Sequence, residues 1–206
     1  MPNWCDNTIS ITGPAEKLSP MYTKLVAEEE EGLLSILYPQ PADIFKGDLG
    51  DKERKQCAKD GVPNWYDWNS SNWGTKWDVS EGNWQYEDAG DGQAILTGNF
   101  ESAWAPPTGV YEHCQTAHDD LYIEAMYYEP GCAFAGMWTS DGGDDHYSLE
   151  GDKAALENEL PEELNDAFGI TENIEEEPEE LTEWSLSSLF SLTVSTDSSS
   201  LAIPPN

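Results

Sequence analysis

Two alternating runs, "NWQYED" and "QAILTGNFESAW", flank "AGDG" in residues 83–104. A period of two on either side of a Gly/Asp turn is the pattern of a β-hairpin. A hairpin buries one face only, so other strands and covering helices must complete it. "WCDNTISITG" alternates in the same way before a Gly-Pro stop and predicts a strand over Trp4–Thr12. "YIEAMYYE" and "AFAGMW" predict a second hairpin, with Pro130 and Gly131 at the central positions of a type II turn.

Helices are expected between these strands. In "PAEKLSPMYTKLVAEEEEG", Leu18, Met21, Tyr22 and Leu25 share one face, Pro20 is expected to shift the start, and Gly32 fits the residue just past the end. "TGVYEHCQTAHDDL" predicts a helix capped by Thr108 that presents Val110, Cys114, Ala117 and Leu121. "LLSILYPQP" is a short apolar piece, and "GDLGDKERKQCAKDG" is a polar insertion with helical character. Strand, helix, hairpin, helix and closing strands make an α+β domain, an antiparallel or mixed sheet with helices on one face. After about residue 145 the character changes. "DKAALENELPEELNDAF" predicts one helix broken near Pro161 or two short ones, followed by the charge run "ENIEEEPEE" and a serine-rich end. The expected division is therefore residues 1–145, a folded α+β domain, and 146–206, an acidic extension.

The net charge is −32, and its distribution is uneven. Residues 1–76 hold eight of the nine basic residues and 12 of the 41 acids, leaving Lys153 and 29 acids for residues 77–206. A field of this sign repels duplex DNA and anionic membrane and attracts basic surfaces, which nucleic-acid-binding proteins carry. No apolar run approaches membrane-spanning length, and the first residues, "MPNWCDNTIS", lack the features of a signal peptide. Cys5, Cys57, Cys114 and Cys132 lie far apart without a CxxC, as expected of reduced thiols in a cytoplasmic protein. No phosphate-binding loop, nucleophile elbow or zincin motif is present, so neither a catalytic residue nor a cofactor is expected. No metal site is expected either: His113 and His118 are five apart, about 140° around a helix, and "SDGGDDHY" fails the calcium-loop spacing and reads as a solvated turn.

Four stretches carry a resemblance: "MPNWCDNTISITGP", "NWGTKWD", "FESAWAPP" and "YYEPGCAFAGMW". In this order they are similar to the YubB-like ferredoxin-like domain family of phage and plasmid proteins, over residues 1 to about 145. The third departs from the family pattern at Glu101 and Ala105, where Asp and Ser are more usual. The resemblance implies a ferredoxin-like α+β fold and a mobile-element origin, hence the cytoplasm of a bacterial host. It implies no particular activity.

Two functional readings follow. In the first, a non-enzymatic acidic accessory protein binds a host protein with a basic nucleic-acid groove, as a nucleic-acid mimic in counter-defence or host takeover. Glu157, Glu159, Glu162, Glu163, Glu175, Glu176 and Glu177 would supply charge, and Trp184, Leu189 and Phe190 apolar anchors. In the second, Trp73, Lys76, Trp77 and Trp104 form a site for a small ligand or single-stranded RNA, by stacking and phosphate pairing. Against this stands the ordinary use of tryptophan as core and of Lys76 as a turn residue paired with Asp78 or Asp67. A self-associating virion component is a third possibility.

Overall fold

A computed structural model describes residues 3–27 and 31–173. The chain divides into two units, Met1–Thr171 and Glu172–Asn206, and the described fold is that of the first. In chain order its elements are β1 (Trp4–Pro14), α1 (Ala15–Val26), α2 (Leu33–Leu37), α3 (Asp51–Asp60), α4 (Trp65–Asn72), β2 (Asn83–Gly90) and β3 (Gln93–Ala103). There follow α5 (Thr108–Ala117), β4 (Tyr122–Glu129), β5 (Phe134–Thr139), β6 (Gly143–Ser148), α6 (Lys153–Glu159) and α7 (Glu162–Phe168).

The six strands form one sheet in the order β2-β3-β1-β4-β5-β6, and every neighbouring pair is antiparallel. The protein is thus α+β. The run β1-α1-β2-β3-α5-β4 is a split βαβ arrangement of the ferredoxin-like kind, because β3 lies between the two strands that α1 connects. β5 and β6 extend it as a meander beyond β4. The β2–β3 turn places Asp91 and Gly92 at φ 52° and 77°, as a two-residue hairpin loop requires.

Alternation decides the faces. Cys5, Asn7, Ile9 and Ile11 of β1 are buried on the side covered by α1 and α5, where Ile9 and Ile11 join Leu18, Leu25, Val110 and Tyr111 in the core. Burying Leu18, Met21 and Leu25 contributes about 1.5–3 kcal/mol each. That outweighs the roughly 3 kcal/mol cost of a proline inside a helix. Pro20 therefore lies within α1 and does not delay its start. Gly32 does not end α1, whose C-cap is Ala27, but precedes α2 as its N-cap. α5 starts at Thr108, with Pro107 at the N-cap.

Three further expectations are revised. At the β4–β5 turn it is Ala133 that has a positive φ, 53°, and not Gly131. The buried Glu129 carboxylate organises this turn by accepting the amides of Gly131 and Cys132, in place of type II geometry. "SDGGDDHY" is not simply a turn: Gly143–Ser148 pairs with β5 as an edge strand. The division expected after residue 145 falls inside that strand, and the compact unit runs on to Thr171. Leu156, Leu160, Leu164 and Ile170 are buried within it. α7 reaches the sheet face opposite α1 and α5, where Phe168 packs on Tyr128, ring centroids 5.8 Å apart. Among the described residues no helix is long and apolar enough to cross a membrane.

Candidate functional site

The face of the sheet away from α1 and α5 is built from the alternate residues of each strand. Register aligns them in rows. Asn83, Asn99, Thr8, Met126, Met137 and Asp145 form one row, and Gln85, Thr97, Ser10, Glu124 and Thr139 the next. Asp6 lies between Glu101 and Tyr128 in a third. No Lys or Arg occurs in any of the six strands, so every formally charged side chain that the strands supply to this face is a carboxylate. Two adjoining clefts share Thr8 and Asn99. One, of about 430 Å³, carries Glu124 and Glu163; the other, of about 360 Å³, carries Asp6, Glu101 and Phe168. Removal from water raises the Asp6 carboxyl above its ordinary value.

The carboxylates expected to face a partner divide into two groups. Glu163 stands in the first cleft, and Glu157, Glu159 and Glu162 are exposed on α6 and the first turn of α7. Glu175, Glu176, Glu177, Trp184, Leu189 and Phe190 lie outside the described residues. Asp6, Glu101 and Glu124 were not expected. Their signal was present in the sequence, as the polar half of each alternating strand.

The tryptophan cluster also splits. Trp73 is 1% exposed, its Nε1 donates to the Tyr38 carbonyl at 2.9 Å, and its ring meets Trp68 edge-on, so it is core and not a ligand contact. Trp77 and Trp104 are 39% and 49% exposed, and Trp4 joins them, 6.1 Å from Trp77 between ring centroids. Lys76 forms neither expected ion pair. Asp67 is taken by Arg54, and Asp78 accepts the amides of Gly32, Leu34, Ser35 and Val79, which anchors the start of α2. The Lys76 ammonium instead lies 4.2 Å from the Trp77 ring centre and 5.7 Å from that of Tyr66, a cation–π placement.

Two of the sequence stretches singled out above meet here. Gly74 of "NWGTKWD", at φ 86°, lies so close to the turn after β3 that an added Cβ would stand 3.2 Å from the Pro106 carbonyl. The Thr75 hydroxyl donates to the Ala103 carbonyl at 2.8 Å. Together these contacts set Lys76 and Trp104 around one cleft of about 380 Å³, with Tyr66 and Ser70 on its wall.

Burial shifts several other titratable groups. Burial pushes the Cys5 and Cys114 thiols up to about 12, so both are protonated at neutral pH. The Tyr127 hydroxyl donates to Asp144 at 2.8 Å, and burial together with that carboxylate raises its pKa well above the ordinary value. His113 stacks on Tyr38 with centroids 3.6 Å apart, and burial followed by His118 lowers its pKa. Among the described residues no three His, Cys, Asp or Glu side chains converge on a possible metal position.

No family description matches the chain, and no curated protein matches it. Among solved structures it is similar to the crystal structure of protein api92 from Yersinia pseudotuberculosis, of family DUF1281. The identity is 15% and the TM-score 0.43, over 72% of this chain and 99% of that one.

Proposed function

We propose that this protein acts by binding, and that its carboxylate-bearing sheet face, with α6 and α7, docks on the basic nucleic-acid groove of another protein. The carrying observation is the charge of that face: Asp6, Glu101, Glu124 and Glu163 share two adjoining clefts, and no strand supplies a cation. Asp6 and Glu101 face each other across adjacent strands, about 4.8 Å apart, and Glu124 lies in another row of the sheet. Uncharged hydrogen-bonding groups such as Thr8, Ser10, Thr97 and Asn99 lie between them and suit the amide and guanidinium donors of a groove. The resemblance to phage and plasmid proteins agrees with a role in the cytoplasm of a bacterial host, as an accessory protein that competes with nucleic acid there. An RNA-binding use of the same face is disfavoured by its charge, since each phosphate would meet carboxylates.

The test is capture by the full chain from the heparin-retained fraction of a bacterial lysate, with salt varied between about 50 and 200 mM. The expected result is a nucleic-acid-binding protein that is retained at low salt and released as salt rises or as duplex DNA is added. Retention that neither salt nor DNA disturbs contradicts the reading.

A further inference from the structure

The cleft between α4 and the turn after β3 has properties that the acidic face does not explain. We propose that it binds a nucleoside monophosphate, with Trp104 stacking on the base and Lys76 holding the phosphate.

The first support is local charge. Three other clefts among the described residues carry carboxylates: Glu124 and Glu163, Glu53 and Asp60, and Asp6 and Glu101. The cleft at Trp104 has none, in a chain with 41 acidic residues. Its cation is also uncommitted. The ion pairs among the described residues use Lys17, Lys24 and Arg54, while Lys76 rests on the Trp77 and Tyr66 rings without a carboxylate. An ammonium so placed keeps its hydrogen-bond donors for an anion.

The second support is the backbone at Trp104. Its φ is 71°, a left-handed conformation that a bulky residue adopts only under constraint. The constraint is visible on both sides. The Trp104 amide donates to the Asn3 carbonyl at 3.0 Å. The Ser102 hydroxyl donates to the Ala105 carbonyl at 2.8 Å and accepts from the buried Asn7 at 2.9 Å. The outcome is an indole that is half exposed beside a lysine. Packing alone gives no reason to bend the chain in order to expose an indole. An aromatic plate next to an ammonium matches a planar base that carries a phosphate. The Tyr66 and Ser70 hydroxyls on the wall add donors, and about 380 Å³ lies in the range of small-molecule sites.

Two sources offer this chemistry, a free mononucleotide and the phosphorylated end of a strand. The net charge of −32 separates them, because every further phosphate is repelled by the rest of the molecule. The free nucleotide is the expected ligand.

The test titrates the full chain with adenosine 5′-monophosphate while the tryptophan indole N–H resonances are followed by NMR. The Trp104 signal, assigned by its loss in Trp104→Tyr, should shift and saturate. Adenosine and ribose 5-phosphate should each bind about tenfold more weakly or worse, since each lacks one of the two contacts. Lys76→Met should weaken AMP by a similar factor with the sheet amide spectrum unchanged. Trp104→Leu should weaken it more than Trp104→Tyr, which keeps a stacking ring. A 5′-phosphorylated pentaadenylate that bound more tightly than AMP would support the shared chemistry and assign the strand end as its source. An unmoved Trp104 signal at millimolar AMP, or equal binding by Lys76→Met, overturns the proposal. Neutralising Asp6, Glu101, Glu124 and Glu163 leaves this cleft's lining intact, so failure here is distinguishable from failure of the acidic-face reading.

Discussion

At the residue scale, fit decides more than residue type. Trp84 is packed so closely on Gly98 that an added Cβ would stand 2.1 Å from the indole, which also stacks on Phe100. Gly98→Ala must displace that indole, and overpacking of this kind costs about 1–3 kcal/mol. Urea denaturation should show a lower midpoint with an unchanged slope; an unchanged midpoint would contradict this packing. The same scale explains what the sequence concealed about the tryptophans. Trp73, Trp77 and Trp104 look alike in a string of letters. Burial sends Trp73 into the core, while a left-handed backbone holds Trp104 out of it. The Lys76 partner was hidden for a similar reason. Asp67 and Asp78 are near in sequence, but backbone amides and Arg54 claim them first.

At the element scale, α4 is the clearest case of local chemistry written in sequence. The Asn64 Oδ1 accepts the Asp67 amide at 3.0 Å, and the Asn64 amide group donates back to the Asp67 carboxylate at 2.8 Å. Asn64 is thus a side-chain N-cap reinforced by a side chain–side chain bond, and Asn64→Ala should cost about 1 kcal/mol. The hydrogen bond from Asn64 holds the Asp67 carboxyl below its ordinary value; burial opposes it, and Arg54 adds to the lowering. A depressed carboxylate stabilises the fold above its unfolded pKa, and that contribution is lost as pH falls through the folded value. The melting-temperature gap between the natural chain and Asp67→Asn should therefore be open at neutral pH and close in strong acid. A gap that is constant with pH would contradict the assignment. β1, the β2–β3 hairpin, the two short helices at Pro161 and the helix after Pro107 were legible, because each carries its own period or stop signal. β6 was not. An edge strand exposed on both faces has no apolar alternation, and it is placed by backbone pairing to β5. The docking of α7 was equally hidden: four buried apolar residues among acids read as a tail until a sheet face is present to receive them.

For the whole molecule, the question is where the charge goes. A net −32 spread over all faces would do no more than keep the protein in solution. Among the described residues the strands carry no Lys or Arg and place Asp6, Glu101 and Glu124 on the face that α1 and α5 leave open, while α3 carries four basic and three acidic residues. The sequence disclosed the excess of acids after residue 76, but not which acids share a face, because that follows from strand order and register. The most direct measurement is displacement of duplex DNA from the captured basic protein, by the natural chain and by the variant Asp6→Asn, Glu101→Gln, Glu124→Gln, Glu163→Gln. The account predicts that the natural chain displaces DNA and that the variant needs at least about tenfold more protein, since charge pairs across such interfaces carry strong coupling. Equal displacement by both proteins, or simultaneous binding of DNA and this protein, would contradict it.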